Sequence, residues 1–365
     1  MINLNAGACV RSLIVDSSCH KCELICPTNA IVIGQNPLPS INHSLCVSCG
    51  VCDAICNSEA LSLDEFKQTD FFFEFIEGED KLISCKKNIP CIAALNVETL
   101  ISIAVLNKEI VFDMGHCEKC DIAHKCKPQI LSIYEEATYI LEAMQSDAKI
   151  TLEEVAFTSE VQEQKQTSRR EMFDIKTLAK SKQSFEQEII KATDELTEYS
   201  LAKTDIALLR KKTTPDKRKL FFTAMKRAKR LSVYHVIDAN EISFTSSKIL
   251  DVDTCTACQM CYRVCPTGAL SSDVKNSKID FDPFICIKCN VCHDVCEPNA
   301  ITLSPSYDIK EFFEPSVVNL VKFSVKRCNE CNVIFSTNEL DAQLCFRCEI
   351  EDDEARTLHK IEEKY

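Results

Sequence analysis

The stretch "CTACQMCYRVCPTGALSSDVKNSKIDFDPFICIKCNVCHDVCEPNAITL", residues 255–303, carries eight cysteines in two copies of one spacing, Cys-x2-Cys-x2-Cys-x3-Cys. The copies are Cys255, Cys258, Cys261, Cys265 and Cys286, Cys289, Cys292, Cys296. A third full copy lies upstream at Cys46, Cys49, Cys52, Cys56, and a truncated one precedes it at Cys19, Cys22, Cys26. Together these runs use fifteen of the 25 cysteines. Three thiolates in one tight loop can reach three irons of a cubane, while the fourth leaves the loop for another cluster. Zinc uses paired Cys-x2-Cys arms, for which a third cysteine two residues further on is surplus. Disulfides need an oxidising compartment, and Met1 to Ser18 holds one arginine and a short apolar stretch around Leu13 to Val15, which is no secretory signal. The runs therefore read as ligands of 4Fe-4S clusters in a cytoplasmic protein.

Composition narrows the chemistry. In 365 residues there are 6 glycines and no tryptophan. The glycines never fall into G-x-G-x-x-G or a P-loop, so no cradle for a dinucleotide or nucleotide triphosphate is visible. No Cys-x3-Cys-x2-Cys occurs: the completing position holds Asn29, Glu59, Gly268 or Asn299. A net charge of −13 argues against nucleic acid, whose phosphates need a basic surface. The longest apolar stretch, Leu100 to Leu106 with one serine, is far short of the ~20 residues of a membrane span.

Two segments repeat. "CPTNAIVIGQNPLPSINHSLCVSCGVCDAICNSEALSL" (26–63) parallels residues 265–303 in its Cys-Pro-Thr, short hairpin, cysteine run and closing Ala-Leu or Ala-Ile strand. Both halves resemble bacterial two-cluster ferredoxins, over about 120 residues in all. The resemblance implies a βαββαβ fold for each and a pairing of each run's first three cysteines with the last of the other. In the second module that gives Cys255, Cys258, Cys261 with Cys296, and Cys286, Cys289, Cys292 with Cys265. In the first it gives Cys46, Cys49, Cys52 with Cys26, while Cys19, Cys22 and Cys56 lack a fourth partner because Asp16 stands in its place. Cys9 looping back over Arg11 to Ser18 is the favoured repair, thiolate being the softer ligand. Ligation by Asp16, a 3Fe-4S cluster, and Cys9 as a plain buried residue stay open.

Between the modules "KLISC" reads as a strand ending at Cys85, residues 90–108 as a buried helix starting at Pro90, and "EIVFDMGHCEKCDIAHKC" as a second strand running into Cys117, Cys120 and Cys126. A βαβ piece would gather Cys85, Cys91, Cys117, Cys120 and Cys126 at strand ends. An extra iron-sulfur cluster, zinc, or thiols without metal all remain open for them. The apolar spacing of Ile130, Leu131, Tyr134, Ala137, Ile140, Leu141 and Met144 predicts a helix from Pro128 to about Gln145.

Residues 127 to 254 hold no cysteine and are rich in Glu, Lys, Gln, Ser and Thr. Glu153 to Arg170 reads as disordered or a loose helix, Glu171 to Lys191 as a helix, and Asp216 to Arg230 as a basic amphipathic helix opened by Thr214-Pro215-Asp216. The last would present a solvated face or dock peripherally on an acidic partner or anionic membrane. Near the C-terminus Cys328-x2-Cys331 and Cys345-x2-Cys348 read as a zinc ribbon, with a rubredoxin-like iron as the other reading, followed by a charged tail from Glu349 that needs no structure.

The expected architecture is α+β: a ferredoxin module over 1–68, a cysteine-containing βαβ segment over 69–150, a charged linker over 151–232, a second ferredoxin module over 233–310, and a ribbon with tail over 311–365. The expected function is electron transfer of polyferredoxin type, with four 4Fe-4S clusters, an optional fifth at the central cysteines, and zinc. The protein would serve as a carrier or accessory subunit of a partner redox enzyme. A maturation factor for a cytoplasmic metalloenzyme, and an iron-sulfur enzyme with its site at the central cysteines, are the competing readings.

Overall fold

In a computed structural model, which describes residues 1–155, 212–339 and 341–359, the chain opens with β1 (Ile2–Leu4), α1 (Lys21–Ile25), β2 (Ile31–Val32), β3 (Ser40–Ile41), α2 (Val51–Ile55) and β4 (Leu61–Leu63). β1 pairs antiparallel with β4, Ile2 opposite Leu63, and β2 with β3. Ile2, Ile31, Leu61 and Leu63 close a small core with Cys26 and Cys52, so the strands are too short to stand without the cysteine loops they enclose.

Next come α3 (Gln68–Glu77), β5 (Leu82–Ile83), α4 (Val97–Asn107), β6 (Glu109–Asp113), α5 (Ala123–Ala143) and β7 (Lys149–Glu153). β5 and β7 flank β6, both parallel to it, making a three-stranded βαβαβ layer. Two expectations need correcting. The buried helix starts at Val97 rather than Pro90, because Asn96 accepts the Thr99 N–H at 2.7 Å and caps it, leaving only a short 3-10 turn at Ile92–Ala94. The following helix starts at Ala123, a turn before Pro128, and so carries Cys126.

The linker expectation fails at both described ends. β7 belongs to the central sheet, since residues 149–153 continue its ladder with β6. α6 (Asp216–Arg227) is a core helix packed chiefly on α4. Its Arg218, 1% exposed, is paired with Glu98 and donates to the carbonyls of Phe244, Phe284 and Cys286, while Lys217 donates to the Cys56 carbonyl at 2.7 Å. Charges satisfied in this way can be buried, and Phe221 packs among Phe244, Phe284 and Phe312 beside them. Of its basic side chains, Lys226 and Arg227, with Lys229 and Arg230 beyond it, stay at the surface. The helix expected at Glu171 to Lys191, and most of Glu153 to Arg170, lie outside the described residues.

β8 (Val236–Asp238), β9 (Lys248–Leu250), α7 (Met260–Arg263), β10 (Leu270–Ser271), β11 (Lys278–Phe281), α8 (Val291–Asp294), β12 (Ile301–Leu303) and β13 (Ser306–Asp308) follow. From β9 to β12 the order and pairing repeat those of β1 to β4: β9 with β12, β10 with β11. β8 pairs with β13 outside that unit. α9 (Lys310–Phe313) then leads to β14 (Val318–Lys322), which joins β11, so residues 311–322 belong with this unit rather than with the ribbon. β15 (Ser324–Arg327) and β16 (Ile334–Thr337) form a hairpin before α10 (Phe346–His359). The expected structureless tail is therefore helical to His359, supported by Arg347–Glu351 and Arg356–Asp352 pairs one turn apart.

Candidate metal centres

The cysteine loops are wound by backbone conformation. In each full run the residues flanking the second cysteine have φ between +45° and +80°: Ser48 and Gly50, Ala257 and Gln259, Lys288 and Asn290. A non-glycine residue held there costs about 1–2 kcal/mol, so the surrounding structure must impose it. The residue three places after the last cysteine is left-handed in all four runs: Asn29, Glu59, Gly268 and Asn299. This turn aims the Ala30 N–H at Cys26 Sγ (3.2 Å), the Ala60 N–H at Cys56 Sγ (3.3 Å) and the Leu270 N–H at Cys265 Sγ (3.5 Å). Such bonds favour thiolate and tune whatever it ligates.

The thiols gather in groups. Cys289 lies near Cys265, Cys286 and Cys292, and burial first, then these neighbours, pushes its thiol pKa up. Cys255 lies near Cys258 and Cys296, and Cys261 is pushed up to about 12 by burial, with Cys292, Cys255 and Cys258 adding to it. In the first repeat Cys52 is raised by burial beside Cys49, Cys26 and Cys22, and Cys46 packs in the same small core as Cys26. Thiols raised by burial and by one another are what a bound cation relieves, and the donor sets fit iron-sulfur clusters in number and in chemistry.

The truncated run takes a different route. Arg11, 7% exposed, donates from Nη1 to the carbonyls of Ser17 and Cys19 and from Nε to that of Pro37 (2.5 Å), folding residues 11–19 back on Cys9. Cys9, Cys19, Cys22 and Cys56 thereby line one cleft of about 200 Å³, and Lys288 and Cys289 of the second repeat form its far wall. Asp16 is exposed and does not line it. Burial pushes Cys22 up to about 12, with Cys56, Cys19 and Cys9 adding to it.

Of the central cysteines, Cys85 follows the end of β5, Cys91 precedes the 3-10 turn at Ile92–Ala94, and Cys117 and Cys120 bracket a turn after β6. Burial, then Cys91, Cys85 and Cys120, raises Cys117 to about 11. Cys126, 2% exposed, lies beside both Cys49 and Cys91, and its thiol beside Cys49 lowers the Cys49 pKa to about 7. No spacing in the sequence announced that proximity, since 77 positions separate the two residues; in the fold α5 packs on the 3-10 turn at Ile92–Ala94, which packs on α2, and Lys125 donates to the Leu24 carbonyl at 2.8 Å. His124 turns to the Asp121 carbonyl at 3.2 Å.

In the C-terminal segment the Sγ atoms of Cys328, Cys331, Cys345 and Cys348 lie within 4.8 Å of one another, with Cys331 and Cys345 3.7 Å apart. A tetrahedral S4 site with bonds of about 2.3 Å sets its sulfurs about 3.8 Å apart, so this group fits a single ion such as zinc.

Lysines were missed as part of these sites. Lys21 sits beside Cys19, Cys56 and Cys289, Lys212 beside Cys265 and Cys261, and Lys248 beside Cys292. Burial pulls the Lys21 and Lys212 ammonium pKa values down while the thiols pull them back up. In a chain of net charge −13 such placement offsets the negative charge that thiolate ligands gather.

Residues 247–297 match the family described as a 4Fe-4S dicluster domain, a span that contains both full runs of the second repeat. No curated protein and no solved structure matches the chain. The match supports 4Fe-4S binding by residues 247–297, and the mixture of helices and strands is compatible with an α+β fold. Among the described residues no helix is long and apolar enough to cross a membrane.

Proposed function

We propose that the chain is a polyferredoxin-type electron-transfer protein that relays single electrons to or from a partner redox enzyme in the cytoplasm. Four 4Fe-4S sites would be formed by Cys46, Cys49, Cys52 with Cys26; by Cys9, Cys19, Cys22 with Cys56; by Cys286, Cys289, Cys292 with Cys265; and by Cys255, Cys258, Cys261 with Cys296. Cys328, Cys331, Cys345 and Cys348 would hold zinc. A bound cluster supplies a one-electron change of charge with little rearrangement of its ligands.

The observation that carries this reading is the serial order of the four thiol groups. Cys52 lies beside Cys22, Cys289 walls the cleft of Cys9, Cys19, Cys22 and Cys56, and Cys292 lies beside Cys261. Each group therefore lies near the next, within a repeat and across the junction between repeats. That junction is held by Asn57, whose amide donates to the carbonyls of Ser243 (3.1 Å) and Ile287 (2.8 Å). The proline of the ferredoxin run would offer no donor at this position. The residues do what a relay requires: thiols bind, backbone N–H groups fix the sulfurs, lysines balance charge, and the junction keeps the sites adjacent.

The test is anaerobic purification with iron, sulfide and zinc quantified on one sample, followed by EPR of the dithionite-reduced protein. At least about 16 irons and one zinc per chain are expected from four cubanes and one S4 site. About eight irons would remove the claim for one whole repeat.

A further inference from the structure

The central cysteines lie at the carboxyl ends of parallel strands, where an open α/β layer collects its ligand-bearing loops. One buried carboxylate ties those loops together. Asp113, 1% exposed, accepts from the Ser84 hydroxyl at 2.7 Å, the Gly115 N–H at 3.0 Å and the Val155 N–H at 3.1 Å. These partners come from the ends of β5, β6 and β7 in turn. Asn88 folds the next stretch back, accepting from the Ser84 N–H at 3.0 Å and donating to the Leu82 carbonyl at 2.8 Å. Cys85, Cys91, Cys117 and Cys120 lie near one another, beside strand ends held by bonds that involve none of the four thiols. A site on pinned loops is preorganised rather than incidental.

The spacing of the sulfurs separates the two metal chemistries. Among the described residues the ribbon cysteines alone form a group whose ligand atoms all lie within 4.8 Å of one another, as a single tetrahedral ion needs. The central four are set wider, and so are the thiols of residues 247–297, which match a 4Fe-4S dicluster domain. Cys126, buried on α5, lies near Cys91 of the four and near Cys49 outside them.

We propose that Cys85, Cys91, Cys117 and Cys120 bind a fifth iron-sulfur cluster, and that Cys126 is no ligand but a buried thiol bridging this site to that of Cys46, Cys49, Cys52 and Cys26. Binding releases the four thiol protons as the thiolates form. The cluster lengthens the series proposed above at the end opposite Cys255 and Cys258, and the bridging role of Cys126 rests on that reading for the Cys49 site.

The experiment compares the anaerobically reconstituted full chain with Cys120→Ser, Cys117→Ser/Cys120→Ser and Cys126→Ala, quantifying iron, sulfide and zinc and integrating the EPR signal after dithionite reduction. The expected result is about 20 irons in the wild type, about 16 in the double variant with its zinc unchanged, and about 20 in Cys126→Ala with an altered reduced EPR spectrum. The retained irons report that the double variant is folded, and Cys120→Ser, in a loop, serves if it is not. Equal iron in wild type and both Cys120 variants overturns the proposal, as does a loss of zinc in place of iron. Loss of iron from Cys126→Ala as large as that from Cys120→Ser overturns the choice of four ligands from five. Wild type and variants together at about 16 would sink the fifth site alone, whereas a wild type below that would count against the four-site reading.

Discussion

Arg11 shows how one side chain decides a ligand set. Its guanidinium is buried with three carbonyls on it, so the segment between Cys9 and Cys19 turns back instead of running on as the full runs do. That a cysteine ten residues upstream could return was legible in the sequence; that Arg11 holds the return, and that Asp16 is left at the surface, was not. Replacing Cys9 with Ser is expected to cost one cluster or convert it to 3Fe-4S, read as about four irons or one iron lost and a new EPR signal in the oxidised protein. Asp16→Ala should leave iron and spectrum unchanged, and the reverse pattern would hand the fourth ligand to the aspartate.

At the scale of elements, one turn geometry recurs wherever a cysteine run ends, and the sequence marks it with Asn, Glu, Gly and Asn at equivalent places. Propensity explains the asparagines and the glycine, which tolerate the left-handed region; Glu59 is there for another reason. Its carboxylate accepts the Asp216 N–H at 2.7 Å and the Lys217 N–H at 2.8 Å, satisfying the open N-terminus of α6 from outside the helix. Gly50 is constrained twice. Its φ is +80°, and an added Cβ would fall 2.8 Å from the Ala94 Cβ, because the 3-10 turn after Cys91 presses on α2. Gly50→Ala should destabilise the holoprotein by about 1–3 kcal/mol, measured by denaturant unfolding followed through cluster absorbance. Adding Ala94→Gly should return only the steric part, leaving about 1 kcal/mol for the backbone. An unchanged midpoint for Gly50→Ala would mean that the two elements are not packed as described.

Across the whole molecule, α6 is the joint. It lies against α4 of the central layer and α9 beyond the second repeat, with Arg218 reaching Glu98 on one side and carbonyls of the second repeat on the other. A second tie, from Glu136 on α5 to the Ser243 N–H at 2.7 Å, is sensitive to pH. Burial pushes the Glu136 carboxyl from 4.5 up to about 7, with Glu98 adding to the rise while the Ser243 bonds and Lys288 oppose it. The folded chain then holds a proton that the unfolded chain releases, so this group's contribution declines as pH rises from about 4.5 to about 7. Glu136→Gln, compared with the wild type by denaturant midpoint at about pH 5.5 and pH 7.5, should lose less stability on going up. Equal slopes would remove this carboxyl from the pH response. The sequence by itself determined the cysteine runs, the repeat and the S4 knuckles, because cluster and metal ligation impose short local spacings that sit within one loop. It also showed that strand, helix and strand lie between the repeats, since apolar periodicity is local too. Only the tertiary structure decided that α6 is core rather than a docking face, that β7 and β14 fall outside the boundaries expected for them, and that Cys126 meets Cys49. Those depend on which charges find partners and which loops meet after folding, and contacts between distant positions leave no spacing to read.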